Sequence, residues 1–406
     1  MARRNGGFIG TDGLDAPDPP TGVTSTAGDA SVSVAFTAPT DVGTSAITGF
    51  VAQVSINDTA YSAGSNTGTS SPIVVSSLTN GTAATAKVWA INAYGTSAPS
   101  TASDSFTPSA RRGIFAGYFT GVDANNIIQR IFINSSGNSV DFGDLTVARY
   151  SGAGMSSATR AVFGGGNDRS ANNRSNHIDY ITIASDGNAQ DFGDLETETS
   201  NTTGCSNGTI GAIIGGNTSS GSSGNPENKM QTITIASAGN ASDSADLESN
   251  FERQGACANT TYGIYAGGNV ANNTNQNQIG RFVWSSLGTS VDFGNLQESK
   301  RGPGAAASAT RAVFAAGLAG SASVTIGYVT IATQGNATDF GDTIQSGECS
   351  GTSDKITAVF HWANAVPFDS ITIASTGNAV DFGDSLEEYA AGGTPMSASD
   401  SHGGIA

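Results

Sequence analysis

The chain has 406 residues and a formal net charge of −17, with 17 Lys and Arg against 34 Asp and Glu. This acidic excess argues against nucleic-acid binding, which requires clustered Lys and Arg, and no apolar run reaches the roughly 20 residues of a membrane-spanning helix. Glycine supplies 54 residues and costs about 1 kcal/mol at each helix-interior site, so the composition predicts an all-β protein.

Residues 1–16 are predicted to form a polar, glycine-rich N-terminal arm. Arg3 and Arg4 give it positive charge, and Phe8 and Ile9 are its only pair of large apolar residues. No apolar stretch of signal-peptide length follows the arginines, so secretion by a cleaved leader is not expected.

Residues 17–108 contain short runs in which small polar and apolar residues alternate, separated by turn residues. The clearest runs are 31–36, 47–54, 72–78 and 85–93. Strands with this spacing, over about 100 residues, predict a β-sandwich.

Several motifs of this region, in order, resemble those of a bacterial-type fibronectin type III domain. They are Pro-Thr-Gly-Val from residue 20, Ile-Thr-Gly-Phe from residue 47 and Ala-Tyr-Gly-Thr-Ser from residue 93. Phe36 stands where that family usually has Trp, and Phe50 where it usually has Tyr, so an aromatic core is kept. The resemblance implies a rigid spacer.

Residues 109–406 contain an internal repeat. An Asp-Phe-Gly-Asp or closely related element begins at positions 141, 191, 292, 339 and 381, and a degenerate copy begins at 243. The successive starts are 50, 52, 49, 47 and 42 residues apart, a period typical of four-stranded propeller blades of kelch-like length. The first unit lacks an inner strand, and residues 395–406 resemble one. The pattern predicts a six-bladed kelch-like β-propeller closed by its C-terminal strand.

The repeated Asp-Phe-Gly element occurs in protein kinases, but here it lies in strands without the other kinase motifs. We expect its phenylalanines to fill the gaps between blades, and its aspartates, such as Asp191 and Asp194, to accept hydrogen bonds from turn amides. Calcium binding by these aspartates is an alternative, although no EF-hand spacing is present. The phenylalanines concerned are Phe142, Phe192, Phe293, Phe340 and Phe382.

The residue types used most often in catalysis and metal binding are scarce. The three cysteines, Cys205, Cys257 and Cys349, are too far apart for a zinc motif, and alignment of the repeats places them on inner strands as buried, unbonded thiols. Only three histidines are present. We therefore expect no metal site, no cofactor and no enzymatic activity.

The loops between the second and third strands of the repeats vary most. They cover residues 167–177, 217–226 and 269–277 and are rich in Asn and Ser. Asn side chains both donate and accept hydrogen bonds, which suits sugar hydroxyls or a protein surface; the alternative is that these loops are merely solvated. The candidate ligand-binding residues are Asn172, Asn173, Arg174, Asn176, Asn272, Asn273 and Asn275.

The repeat as a whole, with Tyr-Ile-Thr-Ile-Ala-Ser at 180–185 and Asn-Ala-Gln-Asp-Phe-Gly-Asp-Leu at 188–195, resembles propeller repeats of virion structural proteins from marine tailed phages. The opening Arg-Arg-Asn-Gly-Gly-Phe-Ile-Gly at 3–10 is similar to the start of such proteins. The resemblance implies a non-enzymatic virion protein, assembled in the host cytoplasm, without nucleic-acid binding or membrane insertion.

Within that resemblance, we expect a tail-fibre or appendage protein whose propeller binds a host-surface glycan or protein. Arg3, Arg4, Phe8 and Ile9 would anchor it to other virion proteins, and it could form homo-oligomers. One alternative is a capsid decoration or tail-assembly protein whose propeller packs on neighbours. A second is a carbohydrate-active propeller enzyme, which would need acidic side chains facing its axial funnel.

Overall fold

The computed structural model describes residues 15–56, 60–168, 174–218, 225–363, 365–386 and 393–405. These residues form antiparallel β-sheets and two short 3-10 helices, Ala271–Asn273 and Trp284–Ser286, and contain no α-helix. The predicted all-β class is confirmed. No helix in this part of the chain is long and apolar enough to cross a membrane. The predicted anchor residues Arg3, Arg4, Phe8 and Ile9 lie outside the described residues.

The chain divides into two compact units, Met1–Ala110 and Arg111–Ala406. The first unit has two sheets, with strand orders β1-β2-β5 and β4-β3-β6-β7. Alternate residues point inward, so Val32, Val34 and Val88 are fully buried, and the rings of Phe36 and Phe50 lie 4.8 Å apart in the same core. The strands are β1 (Thr21–Gly28), β2 (Ser31–Thr37), β3 (Ile47–Ser55), β4 (Gly64–Gly68), β5 (Ile73–Val75), β6 (Thr85–Asn92) and β7 (Gly95–Thr96).

The second unit contains six four-stranded antiparallel sheets, which we number along the chain. Sheet 1 is completed by the last strand of the chain, because β33 (Met396–Ser399) pairs with β8. The other strands of sheet 1 are β8 (Arg112–Phe119), β9 (Ala124–Phe132) and β10 (Val140–Asp144); sheet 2 has β11 (Ala153–Ser156), β12 (Arg160–Gly164), β13 (Ser175–Thr182) and β14 (Gln190–Thr199); sheet 3 has β15 (Thr203–Ser206), β16 (Ile210–Ile214), β17 (Glu227–Thr234) and β18 (Ser242–Phe251).

Sheets 4 to 6 repeat this pattern, and sheet 4 carries an additional short hairpin between its second and third main strands. Sheet 4 has β19 (Gly255–Ala258), β20 (Tyr262–Ala266), β23 (Gln278–Val283) and β24 (Val291–Asn295), with the hairpin β21 (Asn269–Val270) and β22 (Thr274–Asn275); sheet 5 has β25 (Gly304–Ala307), β26 (Arg311–Ala315), β27 (Thr325–Thr330) and β28 (Thr338–Asp342); sheet 6 has β29 (Cys349–Ser353), β30 (Thr357–Trp362), β31 (Pro367–Thr372) and β32 (Val380–Asp384).

One strand of each sheet, here called its inner strand, contacts the inner strands of two other sheets. The contacts run from β11 through β15, β19, β25 and β29 to β33, which also contacts β11. Hydroxyl groups connect several of them, since Ser206 donates to the carbonyl of Ser156 at 2.9 Å and Ser156 donates to the carbonyl of Ser399 at 2.7 Å. Ser399 in turn donates to Ser353 at 2.6 Å. Small side chains are required where backbones approach this closely.

Successive sheets are held together by the repeated sequence element, and we call each such contact a junction, named by its two sheets. At junction 2–3, the amide of Gly239 donates to the carbonyl of Phe192 at 2.7 Å, and the amide of Asp194 donates to Oδ1 of Asn240 at 3.0 Å. Gly193 has φ +146°, and a Cβ there would lie 2.6 Å from the carbonyl of Gly239. The Asp-Phe-Gly-Asp strand therefore fits the Gly-Asn turn of the next sheet.

The same contacts recur at junctions 1–2, 4–5, 5–6 and 6–1. Each phenylalanine of the element is at most 5% exposed and packs against the third strand of the following sheet. Phe192, for example, shares a core cluster with Ile233 and Ile235. The prediction that these phenylalanines fill the gaps between sheets is confirmed for Phe142, Phe192, Phe293, Phe340 and Phe382.

The prediction that the aspartates accept hydrogen bonds from turn amides is wrong for Asp191 and Asp194. In the described residues it is the backbone amide of Asp194 that forms the recurring hydrogen bond, and Asn240 provides the acceptor. The carboxylate of Asp191 is exposed at the sheet surface. Only at Asp292 does a carboxylate of the element accept a backbone amide in the described part of the chain, from Gly294 at 3.1 Å.

The cysteine prediction is confirmed. Cys205, Cys257 and Cys349 are buried and unbonded, and they lie on the inner strands β15, β19 and β29. Burial raises the pKa of all three thiols, that of Cys349 to about 12. Since the thiolate is the reactive form, these side chains are inert at neutral pH.

Candidate functional site

The variable loops and the links between successive sheets lie at the same end of the second unit, here called the loop end. Backbone bridges join the loop of one sheet to the link that precedes it, through the pairs Tyr150–Asn167, Ser200–Asn217, Glu252–Asn269 and Arg301–Leu318. The variable residues are therefore mounted on fixed backbone positions, which suits a recognition surface.

The candidate residues in the first variable loop are only partly described. Asn172 and Asn173 lie outside the described residues. Arg174 is 7% exposed, and Asn176 is half-buried at the start of β13. Burial of Arg174 shows that this residue belongs to the base of the loop, although a polar sequence context had suggested a surface position.

The candidates in the third variable loop are used mainly to shape the loop. Asn272 and Asn273 adopt left-handed backbone conformations, with φ 64° and 55°, and both are exposed. Asn273 accepts a hydrogen bond from the buried Asn269 at 3.3 Å, and Asn275 donates to the carbonyl of Leu318 in the next sheet at 2.7 Å. Sheet 3 lies between this loop and that of Arg174, so the candidates form two separate groups.

A polar cavity at the loop end, between the inner strands, was not anticipated from the sequence. Its rim carries an ion cluster in which Glu348, buried to 95%, is held by Arg253 at 3.0 Å and Arg301 at 2.9 Å. These three residues belong to the links before sheets 4, 5 and 6. Each guanidinium group thus shares the carboxylate of Glu348 and keeps part of its surface exposed.

Two further polar residues of this cavity lack hydrogen-bond partners. Neither amide atom of Gln254, which is 5% exposed, has a partner, and nor does the hydroxyl of Ser350. A buried polar group without a partner costs about 1–3 kcal/mol, so these groups would gain from a polar ligand or water. The cavity itself is small, about 60 Å³.

The opposite end of the inner strands, here called the hairpin end, is occupied by the C-terminal residues. His402 is half-buried; its Nδ1 accepts the amide of Gly404 at 3.0 Å, and its Nε2 donates to the carbonyl of Ser156 at 3.1 Å. Burial lowers the pKa of His402 to about 4, and Lys355 lowers it further while the Ser156 hydrogen bond opposes the shift. The neutral imidazole thus fixes the chain end between the inner strands.

The other two histidines lie elsewhere. His361 is fully buried between the rings of Phe115 and Phe368, and burial lowers its pKa to about 3; His177 is exposed on β13. No cluster of three or more His, Cys, Asp or Glu with a geometry for metal binding occurs among the described residues.

Comparison with known proteins gives no independent assignment. No protein-family model matches the sequence, and no curated protein matches it.

Proposed function

We propose that the second unit is a six-bladed β-propeller and the first a fibronectin type III domain. The six sheets would be the blades, the contacts among inner strands would surround the axis, and the β33–β8 pairing would close the ring. The two-sheet arrangement of the first unit, with its Phe36–Phe50 core, agrees with a fibronectin-like sandwich. This interpretation makes the loop end one face of a disc.

On this basis the protein is a non-enzymatic structural component of a phage virion, a tail fibre or appendage that binds the host surface. The first unit acts as a spacer, and the arm with Arg3, Arg4, Phe8 and Ile9 docks on other virion proteins. The observation that carries the proposal is the contrast at the loop end, where dissimilar polar loops are mounted on a uniform, interlocked scaffold. Binding proteins commonly place recognition residues this way.

The ion cluster at the axial cavity gives this face a defined centre. Arg253 and Arg301 remain 27% and 30% exposed after pairing with Glu348, so they can still contact a ligand at the rim. The unpartnered groups of Gln254 and Ser350 lie in the same cavity lining. A polar host glycan or an acidic protein loop fits such a surface.

Immunogold labelling of purified virions, with an antibody raised against the recombinant full chain, tests the location of the protein. Gold at the tail tip or fibres, together with inhibition of adsorption by the recombinant protein, is the expected result. The virion assignment is contradicted if intact virions carry no gold and denatured virions also do not react with the antibody.

A second candidate is a capsid decoration or tail-assembly protein, and one observation favours it. The outer strands expose apolar side chains at equivalent positions, with Val140, Val291 and Val380 being 42%, 54% and 62% exposed. Apolar residues on unpaired sheet edges favour packing against a neighbouring protein or another copy of the chain. Gold over the head would support this candidate and exclude the adsorption role.

A further inference from the structure

The junctions between sheets are reinforced at the hairpin end by a recurring arginine. Arg160 on sheet 2 donates to the carbonyl of Ile235 on sheet 3 at 3.0 Å, and its guanidinium lies 4.2 Å from the ring centre of Tyr180. Arg311 on sheet 5 repeats both contacts, with Ile373 at 2.8 Å and Tyr328 at 4.2 Å. At both of these junctions the arginine therefore bridges two sheets while it is stacked on an aromatic ring.

Sheets 1 and 4 keep the bridge in modified forms. In sheet 1, Arg112 donates to the carbonyl of Ile183 on sheet 2 at 2.5 Å. In sheet 4 the two partners exchange strands: Tyr262 lies on the second strand and Arg281 on the third, yet Arg281 still donates to Ile331 of sheet 5 at 3.1 Å. Four of the six sheets thus carry an arginine that donates to a carbonyl of the following sheet.

Sheet 6 has lost both side chains of the bridge. Thr357 and Ser370 occupy the places that Arg160 and Tyr180 hold in sheet 2, as the strand pairing shows, since Thr357 pairs with Thr372 as Arg160 pairs with Thr182. Sheet 3 also lacks the pair, but Trp284 of sheet 4 is buried in the adjoining core cluster. At junction 6–1 a groove of about 370 Å³ is left instead.

The groove differs in chemistry from the corresponding depression on sheet 2. That depression has a volume of about 280 Å³ and is lined by Arg160, Tyr180 and Asp186, so it is charged. None of the residues that line the groove at junction 6–1 carries a charge. Its volume falls within the roughly 300–1,000 Å³ typical of small-molecule sites.

The lining of the groove includes both polar and apolar side chains. Hydroxyl groups of Thr357, Ser370 and Thr376 come from sheet 6, and Asn134 and Ser135 come from the turn of sheet 1 that seats on the last strand of sheet 6. Hydroxyls and amides both donate and accept hydrogen bonds.

The apolar side chains of the lining include Ile133 and Ile371, which are largely buried, and Val380, which is exposed. A pyranose ring presents hydroxyl groups at its edge and C–H groups on its face, so it suits an uncharged lining that offers both hydrogen-bonding groups and apolar side chains. An ionised ligand would lose hydration here without gaining an opposite charge, which is unfavourable.

We propose that the groove at junction 6–1 binds a neutral pyranose unit of a glycan. The site lies between Thr357 and Ser370 of sheet 6 and the turn at 133–136 of sheet 1, away from the variable loops of the loop end. It is a binding site additional to the surface assigned above, and it does not depend on where the protein sits in a virion.

Saturation-transfer NMR on the full chain tests the site, with methyl α-glucoside, methyl α-galactoside and methyl α-mannoside as neutral probes and glucuronic acid as the charged probe. At least one neutral glycoside is expected to receive saturation, and glucuronic acid is expected to bind more weakly. If no neutral glycoside receives saturation, or if glucuronic acid binds best, the proposal is overturned.

The variant T357R/S370Y installs the side chains that sheet 2 carries at these positions and should fold, because sister sheets accommodate the same pair. We expect it to weaken glycoside binding by at least about tenfold. The matched control is I210R/T232Y, which adds the same two side chains to sheet 3, where no groove is described; its binding should equal that of the wild type. Unchanged binding in T357R/S370Y contradicts the proposal.

A milder variant, Thr357→Val, removes one hydroxyl while keeping the side-chain shape, and should weaken binding severalfold with an unchanged thermal midpoint. Equal weakening by T357V and by the sheet 3 control would indicate a general structural effect and overturn the site. If the protein binds a glycoside but no gold is found on virions, the groove proposal is supported and the virion role is excluded. The two proposals can therefore fail independently of each other.

Discussion

Junctions 2–3 and 3–4 adjoin the same sheet but are built differently. Junction 2–3 uses Phe192 and the Asn240 turn, whereas the degenerate element of sheet 3 has Ser244 in place of the phenylalanine. At junction 3–4 the core is filled from the other side, by Trp284 and Phe282 of sheet 4 together with Tyr265.

The backbone contact nevertheless survives at the degenerate junction. Ser290 donates its amide to the carbonyl of Asp246 at 2.9 Å, as Ala241 does to Asp194 at junction 2–3. The hydroxyl of Ser290 also accepts the amide of Glu248 at 2.9 Å. The corresponding amide at junction 2–3, that of Glu196, donates to Oε1 of Gln231 instead. A sheet can thus lose the phenylalanine of the repeated element and still pack on the next sheet, provided that side chains of that sheet fill the space between them.

The largest expected effect is at the regular junction. Phe192→Ala should lower the free energy of unfolding by about 3–5 kcal/mol, because it leaves a cavity between two sheets. Urea unfolding followed by tryptophan fluorescence measures it. The control Ser244→Ala, at the equivalent position of sheet 3, should cost about 1 kcal/mol, because it removes hydrogen bonds to Thr232 and to the carbonyl of Ser242 and no large apolar volume. Equal costs at the two positions would contradict the comparison.

The next effect concerns junction 6–1, where His361 is buried among aromatic rings with its pKa lowered to about 3. The imidazole of the unfolded chain takes up a proton near pH 6.5, whereas that of the folded chain stays neutral until about pH 3. The free energy of unfolding therefore has its full value above pH 6.5 and falls as the pH drops from 6.5 towards 3. The slope from this group is about 1.4 kcal/mol per pH unit.

His361→Gln should remove that slope between pH 6 and pH 4.5, whatever it does to stability at neutral pH. Denaturant unfolding at a series of pH values measures the difference from the wild type. His177→Gln, the same change at an exposed position, is the control for the substitution itself. A His361→Gln profile parallel to that of the wild type would mean that the buried imidazole does not control acid stability.

The arginine bridge gives a smaller effect. Arg311→Met should cost about 1–3 kcal/mol, because it removes a charge-assisted hydrogen bond to Ile373 and the stacking on Tyr328. Thr357→Met places the same side chain at the equivalent position of sheet 6, which has no bridge. It should change the free energy of unfolding by less than about 1 kcal/mol. Thermal unfolding of both variants decides whether the bridge contributes stability or merely accompanies the fold.

The smallest effect is expected at the turn asparagine. Asn240→Ala removes the acceptor for the amide of Asp194 and should cost about 1 kcal/mol. At the degenerate junction, Ser290→Ala should cost a similar amount, because it removes the hydrogen bonds of Ser290 to the amide of Glu248 at 2.9 Å and to Tyr265 at 2.7 Å. If Asn240→Ala is neutral while Phe192→Ala is costly, the junction depends on packing and not on its hydrogen bonds.

Much of the architecture could be predicted from local sequence. Alternating strands, turn residues and the Asp-Phe-Gly-Asp repeat indicate six similar units, because hydrophobic periodicity and glycine turns act over a few residues. The burial of the five phenylalanines and three cysteines also followed from the repeat. The hydrogen bonds of the aspartates could not be predicted from the repeat. The acceptor of the Asp194 amide is Asn240, which lies 46 residues further along the chain, in the next repeat.

The sequence by itself determined the β-class, the repeat and the inner position of the cysteines, because each depends on local pattern. Only the tertiary structure brought Arg253, Arg301 and Glu348 together, placed His402 between the inner strands, and left a groove beside Thr357. Those features arise where different sheets meet, and their geometry depends on packing between residues that are far apart along the chain.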